Sequence, residues 1–246
     1  MILAWPRAIL LQLAHPLVAA GVAEHSTFRA GPVTAAKRLH HTIRAMLSLV
    51  FGDEAAQART IAGIRAIHKR VNGQLKANVG PFPAGTRYSA EDPALLLWVH
   101  MTLIESVVFA HDLYLRPLSA QERDEYVSQA AGVAITLGAR DDEVPRTWEA
   151  LSQTMRATLR SGQIAVGPDA LALEPAITRL PWRILTFPFS NGMRLLTYGH
   201  MPADVRAQYG QTWTRSDDRR AANVIMFVRA TRKATPRALA WWPEAR

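Results

Sequence analysis

Of the eight histidines in the 246 residues, two stand in the middle of apolar helix patterns. His100 lies in Leu95-Leu96-Leu97-Trp98-Val99-His100-Met101-Thr102-Leu103. Leu96, His100, Leu103 and Val107 follow the i, i+4, i+7, i+11 spacing of one buried helix face. An imidazole in such a stripe needs a partner. It can hydrogen-bond to a neighbour, or its neutral nitrogen can ligate a metal. His68 falls in line with Ile61, Ile64 and Val71 in the same way, and Arg65 projects from the same side one turn earlier. A guanidinium beside a buried imidazole requires an anion, either the carboxylate of a bound molecule or an Asp or Glu from another helix. His15 shares a face with Leu11, Val18 and Val22 and is followed by Pro16. A proline leaves a carbonyl unpaired one turn back, and a nearby imidazole N–H could satisfy it. His25 and Arg29 border the end of this segment and could meet an anionic group. His40, His41, His111 and His200 show no comparable pattern.

Several chemistries are excluded by what is missing. The chain has no cysteine, which removes disulfides, iron–sulfur clusters, Cys-type zinc sites and thiolate ligation of iron. Any metal must be held by His, carboxylate, Tyr, Lys or Met. There is no His-Glu-x-x-His, no Gly-x-Ser-x-Gly elbow, no phosphate-binding Walker loop and no Gly-rich dinucleotide fingerprint. These absences argue against the commonest metalloproteases, hydrolases, NTPases and dehydrogenases. The net charge of +9 would suit nucleic acid or another anionic partner. Its basic residues are spread along the chain without a block of five or six like charges, the pattern of an arginine-rich solvated surface.

The elements that must position the histidines read as helices. The composition is that of a soluble globular protein, 49% hydrophobic and 20% charged, and strand-forming clusters are scarce. Ala8 to Ala23 is apolar and ends in Gly21-Val22-Ala23, a pattern that a signal cleavage site could share. The run is interrupted by Gln12, His15 and Pro16 and is shorter than the ~20 residues of a membrane span. It is expected to be a core helix starting after Pro6 and kinked or split at Pro16, with the chain beginning abruptly inside its own core. Further helices are predicted over 32–51, 54–72 capped by Asp53, 94–114 opened by Asp92-Pro93, 120–137 with a Ser119/Glu122 capping box, 142–159 with Pro145 in its first turn, and 217–233. Residues 169–200 predict helices broken by Pro175, Pro181 and Pro188. Residues 72–90 predict a long loop, and long loops inside compact domains are often functional. The expectation is an all-α fold, a single globular domain over 1–246 of roughly eight to ten helices, in the cytoplasm and without stable membrane insertion.

Several stretches together resemble the helical family of rubber oxygenases (latex-clearing proteins) and MpaB-type oxygenases. They are Leu11-Gln12-Leu13-Ala14-His15-Pro16-Leu17-Val18-Ala19-Ala20-Gly21-Val22, His25-Ser26-Thr27-Phe28-Arg29, Leu49-Val50-Phe51-Gly52, and Ile64-Arg65-Ala66-Ile67-His68-Lys69-Arg70-Val71-Asn72-Gly73. Tyr88-Ser89-Ala90-Glu91-Asp92-Pro93, Leu97-Trp98-Val99-His100, Glu105-Ser106 and Tyr209-Gly210 continue the likeness over nearly the whole chain. The resemblance implies an all-α protein with a b-type haem buried between helices, a proximal histidine on the iron and a basic residue on the distal side. His100 maps to the proximal ligand and Arg65 to the distal arginine. His68 falls where the rubber oxygenases place a lysine. A histidine there is either a second axial ligand or a hydrogen-bond donor to bound oxygen.

What the resemblance implies is a haem-dependent oxygenase that uses dioxygen on an apolar, isoprenoid-like small molecule. His100 and His68 are the candidate iron ligands, and Arg65 and His68 the candidate catalytic pair. His15, His25 and Arg29 complete the expected cofactor-binding set, and Leu96, Leu97 and Leu103 the apolar walls. The longer flanking segments of rubber oxygenases are missing and the opening segment reads as shortened, so rubber itself is not the expected substrate. The alternatives are a non-catalytic haem- or lipid-binding helical protein with bis-histidine iron and, last, a DNA-binding regulator. No basic recognition helix supports the last, and no nucleic-acid partner is expected.

Overall fold

Two prolines decide how the chain starts. The computed structural model describes residues 2–25, 32–178 and 192–234. A 3-10 turn over Ile2–Ala4 runs into α1 (Trp5–Leu13), which carries Pro6 in its first turn, where no backbone N–H is needed. Pro16 opens α2 (Pro16–His25), and the two helices meet at 106°. The expected single helix is therefore split rather than kinked. The Gln12 carbonyl at the break is satisfied by the backbone N–H of His15 at 3.2 Å, not by an imidazole. The Leu10 carbonyl accepts the Tyr209 hydroxyl at 2.7 Å, which ties this corner to the C-terminal part of the chain.

α3 (Pro32–Phe51) and α4 (Glu54–His68) form the next pair, and Asp53 caps α4 by accepting from the Ala56 N–H at 2.7 Å. α4 stops at His68, short of the expected Asn72. The stretch expected to be a loop contains two antiparallel strands, β1 (Asn72–Gln74) and β2 (Arg87–Ser89), with Gly73 opposite Tyr88. Three-residue strands are too short to show a period, so only the turn residues were legible. Gly80 and Gly85 supply the positive φ that the connection needs.

α5 (Pro93–Tyr114) is capped by Asp92, which accepts from the Ala94 and Leu95 N–H groups. It packs against α1 and against α6 (Ala120–Leu137) and α7 (Trp148–Arg160). The Ser119/Glu122 capping box forms as expected, and Gly138 ends α6. α7 begins at Trp148 instead of 142. Val144 precedes a proline and is held extended, and Thr147 takes over as cap with its hydroxyl accepting from Ala150. α8 (Pro168–Thr178) continues through Pro175, while Pro181 and Pro188 lie outside the described residues. α9 (Gly192–Tyr198), α10 (Ala203–Gln208) and α11 (Arg215–Ala234) close the fold.

The result is an all-α domain whose main core joins Leu10, Leu11, Trp98, Met101, Val127, Leu151 and Leu173. α5 is long and apolar enough to cross a bilayer, but 56% of its apolar window is buried against other helices, as in the core helix of a globular protein.

Candidate functional site

His100 is placed two turns into α5 by the Asp92 cap, and it is 9% exposed. Leu96 beside it is buried, and Leu103 and Val107 further along the stripe are half-buried. Trp98, Met101 and Thr102, on the other side of the helix, are sealed inside the core. The face that His100 leads is thus the less completely covered one. Its Nε2 is buried and has no hydrogen-bond partner among the described residues. Burial pushes the imidazole pKa down to about 4, so the ring is neutral at physiological pH.

His68 is the last residue of α4 and is half-buried, together with Ile61, Ile64 and Val71. The expected stripe is present, but as a shallow one. α4 has no fully buried residue, and Ile67 is 52% exposed. The Nδ1 of His68 is nonetheless buried and unpartnered. Burial lowers its pKa, against a smaller opposing pull from the Glu91 carboxylate. Arg65, on the adjoining flank, is exposed, and no described carboxylate pairs with it. The base of the β1–β2 hairpin links the two helices, for the Ala90 N–H donates to the Val71 carbonyl at 2.9 Å. The end of the His68 helix is therefore fastened to the start of the His100 helix.

The other predicted residues are placed differently. His15 sits at the α1–α2 break and is 5% exposed. Its Nδ1 accepts from the Leu17 N–H at 3.3 Å, and its ring lies 5.3 Å from that of Phe82. Burial lowers its pKa to about 4, partly offset by Asp92. Its geometry is that of a helix-start brace. His25 is exposed, with Nε2 donating to the Asn72 carbonyl at 3.1 Å and its ring edge-on to Tyr88. Arg29 lies outside the described residues. Among the described residues no three of His, Asp or Glu converge as a metal-binding group.

Two features carried no sequence signal as site residues. Arg7 is 5% exposed and donates to both Glu105 oxygens, to Ser106 Oγ at 2.6 Å and to the His200 carbonyl at 2.9 Å. His200 packs its ring 4.9 Å from Phe109 and leaves a buried Nε2 unpartnered. Neither belongs to a periodic pattern, since each reaches its partners across the fold. Only the apolar run of α1, in which a lone arginine is out of place, could have drawn attention to Arg7.

The depressed histidine pKa values have a stability consequence. His15 and His100 titrate near 4 when folded and near 6.5 when free, so the unfolded chain binds more protons between those limits. Stability is fully present above about pH 6.5 and falls as the pH drops toward 4. Each histidine adds a slope of up to about 1.4 kcal/mol per pH unit. Urea titrations at pH 7, 6 and 5 should show this loss. His100→Leu should flatten it, and an unchanged slope would contradict the burial argument.

Comparison with known proteins bears on the whole arrangement. A family model described as "ER-bound oxygenase mpaB/B'/Rubber oxygenase, catalytic domain" matches residues 1–231. No curated protein and no solved structure gives a match.

Proposed function

The chain belongs to the ER-bound oxygenase mpaB/B'/rubber oxygenase catalytic-domain family, and from that membership we propose that it is a haem b-dependent oxygenase of an apolar small molecule, with His100 as the iron ligand. The observation that carries the ligand assignment is the buried, neutral, unpartnered Nε2 of His100. A core imidazole left without a hydrogen bond costs free energy, and ligation removes that cost. A porphyrin brings four of the iron's ligands itself, so one imidazole from the protein is enough. The residues present fit such a group. Among the described residues His100 and His68 each keep a buried nitrogen free, and Arg65 has no carboxylate partner there and is available to a carboxylate of the cofactor.

When bound, the haem supplies a redox-active iron for reaction with dioxygen. The protein's part follows from its side chains. His100 donates a nitrogen and tunes the iron. His68 would hold or deliver a proton at its unpaired nitrogen, and Arg65, exposed on the adjoining flank, would add positive charge at the cofactor's carboxylate edge. Leu96, Leu103 and Val107 form an apolar wall that keeps water out and suits an isoprenoid-like substrate. The free Nδ1 of His68 also supports a second reading, in which His68 would be a further iron ligand and the protein would bind haem without turnover.

One spectrum separates these readings. Protein as isolated or reconstituted with haem is measured oxidised, then reduced with dithionite, then under carbon monoxide. The oxygenase reading expects a Soret band that shifts on carbon monoxide binding. A low-spin ferrous spectrum untouched by carbon monoxide would favour the bis-histidine reading. No Soret band after reconstitution would overturn both.

A further inference from the structure

The chain passes from the His68 helix to the His100 helix through the β1–β2 hairpin, with α6 packed against both helices, and two three-residue strands are not stable on their own. What holds the hairpin is α2. Tyr88, 4% exposed, donates its hydroxyl to the Glu24 carboxylate near the end of α2. Lys76 reaches the other Glu24 oxygen at 2.6 Å. His25, next along α2, donates to the Asn72 carbonyl. The contact is tightest at two glycines. A Cβ on Gly73 would lie 2.5 Å from the Tyr88 hydroxyl oxygen and 3.0 Å from a Glu24 oxygen, and one on Gly21 would lie 3.3 Å from Val71. Lys76 first and Tyr88 second hold the Glu24 carboxyl below its ordinary range, so it is ionised at neutral pH.

We propose that Glu24 and Tyr88 are positioning residues: their contact latches the hairpin to α2 and so fixes the spacing between His68 and His100. The proposal rests on the reading that both imidazoles serve one cofactor, and it deepens that reading by assigning control of the gap to residues that touch neither helix's histidine. The latch belongs to this chain's own hairpin and can be tested without haem.

The absence of cysteine makes labelling direct. Ala66→Cys on α4 and Ala94→Cys on α5, both at exposed positions, carry a nitroxide pair for dipolar EPR on the otherwise unchanged chain. Tyr88→Phe should broaden the inter-label distance distribution about twofold. Glu24→Gln should do the same, and it decides the matter if Tyr88→Phe does not fold. Wild-type distributions in both variants would overturn the latch. Haem titration is the second readout. A lost hydrogen bond to a charged group predicts affinity weakened about tenfold, with a thermal midpoint within a few degrees of wild type. A broadened distribution with unchanged haem affinity would overturn the positioning role. Wild-type protein that takes up no haem would sink the proposed function instead, and the EPR distances would still decide whether the latch sets the spacing.

Discussion

His100→Leu should abolish stable haem uptake while making the haem-free protein more stable by about 1–2 kcal/mol. The two halves of this expectation have one cause. The imidazole occupies a buried position on α5 with no hydrogen-bond partner for Nε2, so the fold gains nothing from its polarity. Leucine is of similar size and leaves no polar atom stranded, and the stripe on either side is already Leu96 and Leu103. A residue that the fold would be better without is a candidate for function, because strain or desolvation retained in a core usually serves a ligand. Haem titration of wild type and variant, followed at the Soret band, measures the first half. Urea denaturation at pH 7 of the cofactor-free proteins measures the second. A variant that keeps a full Soret band would remove His100 from the iron. A variant markedly less stable than wild type would show that the imidazole has a structural partner after all.

Much of this is legible in the sequence, and the limits of legibility have physical reasons. Long periodic segments announced themselves. α3, α5 and α6 lie within a residue of where apolar spacing and caps put them, because Asp92-Pro93 and the Ser119/Glu122 box act locally. The start of α7 and the end of α4 depart from the local pattern where tertiary partners decide. Trp148 begins α7 with its N–H donated to Asp124 of α6, a contact no local pattern encodes. Beyond His68 the chain has turned into a hairpin held by α2. Among the site residues, His68 and His100 came from spacing, since each repeats a helical stripe. Arg65 lay beside His68 as expected, but facing solvent. His15 is buried at the helix break, yet its ring accepts the Leu17 N–H instead of donating to the carbonyl that Pro16 frees. Sequence spacing reports that a histidine is inside; it does not report whether a neighbour has already claimed its nitrogen.

Arg7→Met should cost about 3–5 kcal/mol, a large share of the ~5–15 kcal/mol that stabilises a domain. The guanidinium is buried beside Phe109 and holds both oxygens of Glu105, so its removal strands a mostly buried carboxylate. It also releases the Ser106 hydroxyl and the His200 carbonyl, leaving three acceptors without their donor. Arg7→Met/Glu105→Leu should recover most of the loss, because the penalty lies in the unpaired charge more than in the absence of the pair. Urea unfolding of the two variants and of Glu105→Leu closes the cycle. A cost below about 1 kcal/mol for Arg7→Met would place the pair with ordinary surface bridges. The consequence reaches the site through geometry. Arg7 is on α1 and Glu105 on α5, little more than one helical turn beyond His100, and the His200 carbonyl joins a third segment to the same guanidinium. The ion pair thus sets how α5 lies against α1, as the Tyr88–Glu24 contact sets how α4 meets α5. If both hold, the rescued double variant should regain stability yet bind haem more weakly than wild type, because two apolar side chains restore packing without restoring the directional bonds that orient the His100 helix.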